Sequence, residues 1–239
     1  MVNMPKTEVF DKYYKDYDNW FFKHELAYKA EINLIKKLIP KGKGLEVGVG
    51  TGKFAIPFGI KDGVEPSDKM GEIAEEKGIR VVKGVAEYLP YDDNIFDFVL
   101  IVTTICFVDD PLKTLKEARR VIKPDGYIII GFVDRESMIG QAYEKYKDKS
   151  KFYSPAIFYS SKQIEDFLEK SGFIQIESYQ TLFHPLNKIK ENEPVTKGYG
   201  KGAFIGMRGK KRSGLAKLSH LHKIEKEEKI DNNVLADHF

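Results

Sequence analysis

The sequence predicts an α/β chain built on a mainly parallel sheet. Three observations predict it. Short apolar runs alternate with segments of helical periodicity from Gly44 onward. Gly78, Pro124-Asp125-Gly126 and Gly172 stop the helical segments. A glycine-rich turn, Gly48-Val49-Gly50-Thr51-Gly52, leaves the first apolar run and opens into a short helix. Alternation of this kind is the pattern of βαβ units, whose parallel strands carry helices as crossovers.

In chain order, a polar, aromatic-rich start precedes an amphipathic helix over His24 to Ile39. Leu26, Ala30, Leu34, Ile35 and Leu38 recur there at helical spacing, and Pro40, Gly42 and Gly44 end it. Strands are expected at Gly44 to Val49, Ile60 to Glu65, Arg80 to Lys83, Phe96 to Thr103, Tyr127 to Val133, Phe173 to Thr181 and Ala203 to Arg208. Helices are expected at Lys69 to Lys77, Pro111 to Ile122 and Ser161 to Ser171. From Gly52 to the second strand there are only about eight residues, interrupted by Pro57. A full crossover needs ~12, so one or two helical turns are expected in its place. The chain reads as one domain over residues 1–209, its first 39 residues a helical lid, followed by a charged tail over 210–239. The tail either packs as a helix through Leu215, Leu218 and Leu221 or is partly disordered.

Composition narrows the function classes. With 42% hydrophobic residues the 239-residue chain has material for a substantial core. A net charge of +3 gives no strong drive toward nucleic acid or anionic lipid. Met1 to Phe10 lacks a signal-peptide core, and the richest apolar stretches, Phe96 to Val108 and Tyr127 to Val133, are too short to span a bilayer. Cys106 is the single cysteine, which excludes disulfide scaffolds and CxxC metal sites, and no metal site is expected. It follows an apolar run and reads as a small buried hydrophobe. A cytoplasmic enzyme without a membrane partner fits these features.

The chemistry concentrates around Leu45-Glu46-Val47-Gly48-Val49-Gly50-Thr51-Gly52. Alternate glycines let the backbone turn sharply and approach a ligand without Cβ clashes. The helix start beyond offers free N–H groups. Gly63-Val64-Glu65-Pro66-Ser67 then places a carboxylate at the tip of the second strand, where it can accept both hydroxyls of an adenosine ribose.

This ordered pair resembles motif I and the following acid of class I S-adenosylmethionine-dependent methyltransferases, especially those with the type-11 methyltransferase domain. Three further stretches are similar to that family's. Gly84-Val85-Ala86-Glu87-Tyr88-Leu89-Pro90 resembles its GDAExLP loop, Asn94-Ile95-Phe96-Asp97-Phe98-Val99 its xxFDxV stretch, and Ala118 to Gly126 its RVLKPGG turn. The similarity is close over roughly residues 40 to 135. It implies a Rossmann-like three-layer sandwich, a mostly parallel seven-stranded sheet with helices on both faces and an antiparallel C-terminal strand. It implies S-adenosylmethionine as cofactor and S-adenosylhomocysteine as its product. By the same resemblance Gly48, Gly50 and Gly52 line the methionine and ribose side, and Glu46 holds the loop and approaches the methionine amine. Glu65, followed by Pro66, binds the ribose diol; Ala86 and Glu87 border the adenine; Thr103 faces the methionine. The family's usual Asp in the adenine loop is Val85 here.

Two aromatic segments are placed to roof the site. Tyr17-Asp18-x-Trp20-Phe21 resembles the N-terminal lid of related methyltransferases, so Tyr17 is expected to touch cofactor or acceptor. Trp20, Phe21 and Phe22 are expected to cap the core. Phe152-Tyr153 and Phe158-Tyr159 form the second segment. His24, His184, Asp109, Asp110 and Asp134 are candidate bases, each read first as structural or solvated, and no catalytic residue stands out. His220 and His222, two apart, have the wrong spacing for ligands on one helix face.

The expected activity is methyl transfer to a small-molecule acceptor by direct displacement. An NAD(P)-dependent oxidoreductase is the first alternative, against which stand the Gly-x-Gly-x-Gly spacing and the Ala86 to Pro90 loop. A non-catalytic S-adenosylmethionine-binding protein is the second. Nucleic acid is an improbable partner: Thr103-Thr104-Ile105-Cys106 stands where amino-methylating relatives carry an Asn/Asp-Pro-Pro-aromatic motif. Nothing in the sequence sets the oligomeric state.

Overall fold

A strand buried on both faces must be apolar at every position, and the two longest apolar runs of the chain become such strands. In the computed structural model, which describes residues 7–212, β4 (Phe96–Val102) and β5 (Ile122–Val133) lie side by side at the centre of the sheet. Val99 and Ile101 of β4, with Ile128, Ile130 and Phe132 of β5, pack into one core. Phe98, Leu100, Val102 and Ile129 pack into a second core on the opposite face. Phe96 joins the first core despite its even number, because a bulge between Phe96 and Phe98 shifts the alternation by one.

The other strands are β1 (Gly44–Val47), β2 (Asp62–Glu65), β3 (Arg80–Lys83), β6 (Phe173–Thr181), β7 (Thr196–Lys197) and β8 (Phe204–Lys211). They assemble in the order β3-β2-β1-β4-β5-β8-β6-β7. The first five pair in parallel, β8 runs antiparallel between β5 and β6, and β7 runs antiparallel to β6. The sheet therefore has eight strands rather than seven. The added strand is two residues long, too short to leave a periodic signal.

Helices cover both faces. α4 (Pro111–Val121) and α6 (Ser161–Lys170) put Leu115, Ala118, Ile164 and Leu168 on the first core. α2 (Glu25–Leu38) and α3 (Asp68–Glu76) put Leu34, Ile35, Leu38 and Ala74 on the second. Three of these four helices start on a side-chain cap, Ser67 for α3, Asp110 with Pro111 for α4, and a full Ser160–Gln163 capping box for α6. A single 3₁₀ turn, Ile56–Phe58, stands in for the first crossover helix, as the short spacing predicts. α1 (Glu8–Lys23) lies within the segment read as a helical lid, whereas α5 (Met138–Tyr146), capped by Ser137, is an addition to the sequence reading. α1 buries only Phe21 and α5 only Ile139 and Gly140, so neither carries the run of buried apolar positions that marks α2. The tail residues Leu215, Leu218, Leu221, His220 and His222 lie outside the described residues.

Candidate active site

The carboxyl ends of the parallel strands open into one cavity of about 520 Å³, the size class that holds a drug-sized ligand. Eight of the ten residues singled out from the sequence line it: Tyr17, Gly48, Gly50, Glu65, Pro66, Ala86, Glu87 and Thr103. Glu46 and Gly52 do not. Glu46 is buried behind the loop, where its carboxylate accepts a hydrogen bond from the Ala55 amide. Burial first, and the Glu65 charge in addition, push it well above the usual carboxylate range, and its Oε2 has no partner among the described residues. Gly52 backs onto Ile79 and Ile56.

The glycine turn is fixed by its neighbours. Gly48 and Val49 both donate to the Val64 carbonyl, at 2.8 and 3.1 Å, and Gly50 donates to Glu65 Oε2 at 2.8 Å. Gly48 and Gly50 adopt φ values of 71° and 54°, left-handed conformations open to glycine at no steric cost. A side chain at Gly48 would collide with Thr104. Glu65 completes the ledge: it is 8% exposed and its Oε1 accepts from the Ser67 amide at 2.9 Å. Burial raises its pKa to about 7, the two amides holding it down against that rise.

Thr103, just past β4, has φ 50° although it is β-branched, a conformation that costs ~1–3 kcal/mol and collects at functional sites. It is pinned by its amide donating to Gly131 at 2.8 Å. On the far side of the ledge, Glu87 accepts from the Asp109 amide at 2.8 Å and the Asp110 amide at 3.3 Å. Its carboxylate thus braces the loop after β4 while the residue borders the cavity.

α1 lies over this rim. Thr51 Oγ1 donates to Asp18 at 2.6 Å, Lys53 pairs with Asp18 at 3.3 Å, and Ser67 Oγ donates to Asp11 at 2.6 Å. One helix is thereby tied to the glycine turn and to the start of α3. Tyr17 is held against Phe21 and Phe152, with ring centroids at 5.1 and 6.4 Å. Burial, then the charges of Glu46 and Glu65, raise its hydroxyl well above the usual tyrosine range, so it stays a neutral donor. Phe21 is buried as expected, but Phe22 is 85% exposed and caps nothing; it falls on the outer face of α1. From the second aromatic segment Phe152 and Tyr153 line the cavity, while Phe158 lies buried beneath them.

Four of the five candidate bases resolve into structure. Asp134 accepts from the Ser161 hydroxyl and amide and from the Glu136 amide. Asp110 caps α4, His184 pairs with Glu193 at 2.8 Å, and His24 packs its ring at a tilt against Trp20. Asp109 lines the cavity mouth. Among the described residues no cluster of His, Cys, Asp and Glu has metal-binding geometry, and no helix is long and apolar enough to cross a membrane.

Sequence reading missed Glu31. It lies on α2 inside the apolar stripe Ala27, Ala30, Leu34, Ile35 and Leu38, is 5% exposed, and lines the cavity. An acid at a core-facing position of an amphipathic helix was the available signal, since such acids are rarely buried unless paired or used.

A backbone cradle beside a buried strand-end acid, at the carboxyl edge of a β3-β2-β1-β4-β5 sheet, defines a nucleoside-binding α/β protein. Comparison with known proteins makes this specific. The type-11 methyltransferase domain family matches residues 45–130. A Thermotoga maritima crystal structure, an S-adenosylmethionine-dependent methyltransferase described as a possible histamine N-methyltransferase, shares 51% identity at a TM-score of 0.84, over 85% of this chain and 99% of that one. An uncharacterised protein of Methanocaldococcus jannaschii is 48% identical over 85% of this chain and 98% of its own length. Demethylmenaquinone methyltransferase of Bacillus subtilis is 32% identical over 58% of this chain and 68% of its own. The chain belongs to the S-adenosylmethionine-dependent methyltransferases, and S-adenosylmethionine is its cofactor. The oxidoreductase reading is set aside.

Proposed function

We propose that the protein transfers a methyl group from S-adenosylmethionine to a small-molecule acceptor bound in the same cavity. The observation that carries this is Glu65, a buried carboxylate 2.8 Å from the Gly50 amide on the wall of a 520 Å³ cavity. The residues suit the cofactor: Gly48 and Gly50 leave bare backbone where a Cβ would intrude, and Glu65 offers lone pairs to a ribose diol. Ala86 and Glu87, with Pro66, border the adenine position, and Thr103 and Tyr17 face the methionine end. Behind the loop, Glu46 holds the turn.

When bound, S-adenosylmethionine supplies a methyl group already activated on a cationic sulfur. The protein's part is then alignment and exclusion of water. Phe10, Tyr17 and Phe152 close the rim by ring contacts, with Phe10 to Phe152 centroids at 5.7 Å and Phe10 to Phe107 at 5.1 Å. Their faces suit the positive charge carried on sulfur. A small acceptor is supported by the size of the cavity and by the acceptors in the relatives' names, histamine as a possibility for the Thermotoga protein and demethylmenaquinone for the Bacillus one.

The test is mass spectrometry of the purified chain for co-purifying S-adenosylmethionine or S-adenosylhomocysteine, then titration calorimetry with S-adenosylhomocysteine. Binding with micromolar affinity and turnover on an acceptor panel are expected. Absence of binding would refute the reading, and tight binding with no turnover on any acceptor would favour a non-catalytic role.

A further inference from the structure

The cavity has two ends, set by the strand order. Glu65, Met70 and the 84–88 loop stand at the β2–β3 end. Glu31, Ile139, Tyr143, Leu182 and Ala203 stand at the opposite end, near β5, β8 and β6. With a nucleoside over Glu65, this second end, beyond Thr103 at the tip of β4, is left for the acceptor. It is apolar except for tyrosine hydroxyls and one carboxylate.

That carboxylate is unanswered. Among the described residues no hydrogen-bond donor or basic side chain reaches Glu31, and burial alone pushes its pKa up to about 8. The titratable groups that face it are Tyr17 from α1, Tyr28 from α2, Tyr143 from α5 and Tyr153 from the loop after α5, all raised by burial first and by the Glu31 charge among further causes. Tyr143 and Tyr153 stack with centroids 4.8 Å apart, giving an aromatic wall beside the acid. Burial keeps this acid protonated near pH 7, and what the chamber lacks to hold it ionised is a compact cation with N–H donors.

Resting on the methyltransferase reading above, we infer that Glu31 is the acceptor-recognition residue, and that the acceptor is an amine bound as its ammonium between this carboxylate and the Tyr143–Tyr153 wall. The carboxylate takes one proton from the ammonium, leaving a neutral amine with a free lone pair. That lone pair forms the new N–C bond while the C–S bonding pair returns to sulfur, and the positive charge passes to the methylated nitrogen. Burial disfavours the ion pair relative to the neutral acid and neutral amine, so this proton transfer is less uphill in the chamber than in water. An alcohol or phenol of the same shape brings neither the charge nor the extra donors, so it leaves the acid protonated.

The experiment uses the full chain saturated with S-adenosylhomocysteine and titrates benzylamine, 2-phenylethylamine and hexylamine against the alcohols of matching skeleton, in buffers of differing ionisation enthalpy. At least one amine is expected to bind ~10-fold or more tighter than its alcohol, releasing about one proton at pH 7 as the Glu31 proton is displaced. In Glu31→Gln the preference and the proton release disappear while S-adenosylhomocysteine affinity stays within about twofold. Three results overturn the inference: no amine preference in the native chain, no proton release, or loss of S-adenosylhomocysteine affinity in Glu31→Gln, which would give Glu31 to the cofactor. Failure of the native chain to bind S-adenosylhomocysteine at all would instead remove the methyltransferase reading beneath it.

Discussion

Two buried glutamates stand at opposite ends of one cavity, and their surroundings differ. Glu65 accepts from the amides of Gly50 and Ser67, so backbone already answers part of its charge. Glu31 receives no donor among the described residues and sits among rings. Burial raises both, to about 7 and about 8 respectively. In the proposed reading the first is a preorganised acceptor for neutral hydroxyls, held by the two amides. The second is, in the same reading, an acid held neutral by burial, ready to ionise against a ligand that brings its own cation. Local backbone can prepare a site for a nucleoside, whereas a site for an ion needs side chains gathered from several elements.

The largest effect expected at the Glu65 end comes from Gly48→Val. It forces a β-branched residue to φ 71° and drives its side chain into Thr104. S-adenosylhomocysteine affinity should fall on the order of 100-fold by calorimetry, ~3 kcal/mol; affinity within threefold of native would break the picture of a close backbone cradle. Glu65→Ala should weaken the same ligand by ~1–3 kcal/mol through lost charge-assisted hydrogen bonds. An unchanged dissociation constant would place the ribose elsewhere.

These two acids, with Glu46, also set how stability varies with pH. Each is raised in the folded chain above the ~4.3 of an unfolded glutamate. The folded state therefore holds protons that the unfolded state has released, and stability is fully present below the unfolded value. It is lost as pH rises through about 7 for Glu65 and about 8 for Glu31. The melting temperature of the ligand-free chain should drop by several degrees between pH 5 and pH 8.5, and Glu31→Gln should flatten the upper part of that decline. A melting temperature that climbs over this window would show that neither acid is buried as described. The smallest effect is expected from Asp18→Ala, which removes the Thr51 hydrogen bond and the Lys53 ion pair that tie α1 to the glycine turn. It should cost ~0.5–1.5 kcal/mol in denaturant unfolding and loosen cofactor binding by a few-fold. A loss of all cofactor affinity would mean that α1 does more than cover the rim.

Legibility followed the distance over which information is encoded. The turn from Gly48 to Gly52 and the acid at Glu65 are local patterns bound to strand tips, and the structure has them side by side. The double-faced burial of β4 and β5 was legible as unbroken apolar runs. Glu31 was not singled out, although it sits in the same stripe as Leu34 and Ile35. A helical pattern tells which residues face inward; it does not tell whether they meet side chains or a cavity. Phe22 was misjudged for the reverse reason: an aromatic ring says nothing of its azimuth until the helix is docked.

By itself, then, the sequence determined the parallel sheet, the glycine turn, the strand-end acid and the shortened first crossover, since each follows from spacing and sterics within a few residues. Only the tertiary structure decided what the far end of the cavity is made of. α2, α5, the 152–153 loop and the segments at Leu182 and Ala203 are far apart in the chain and meet only once the sheet has ordered them. Convergence of that kind is a long-range packing result, and no local periodicity carries it.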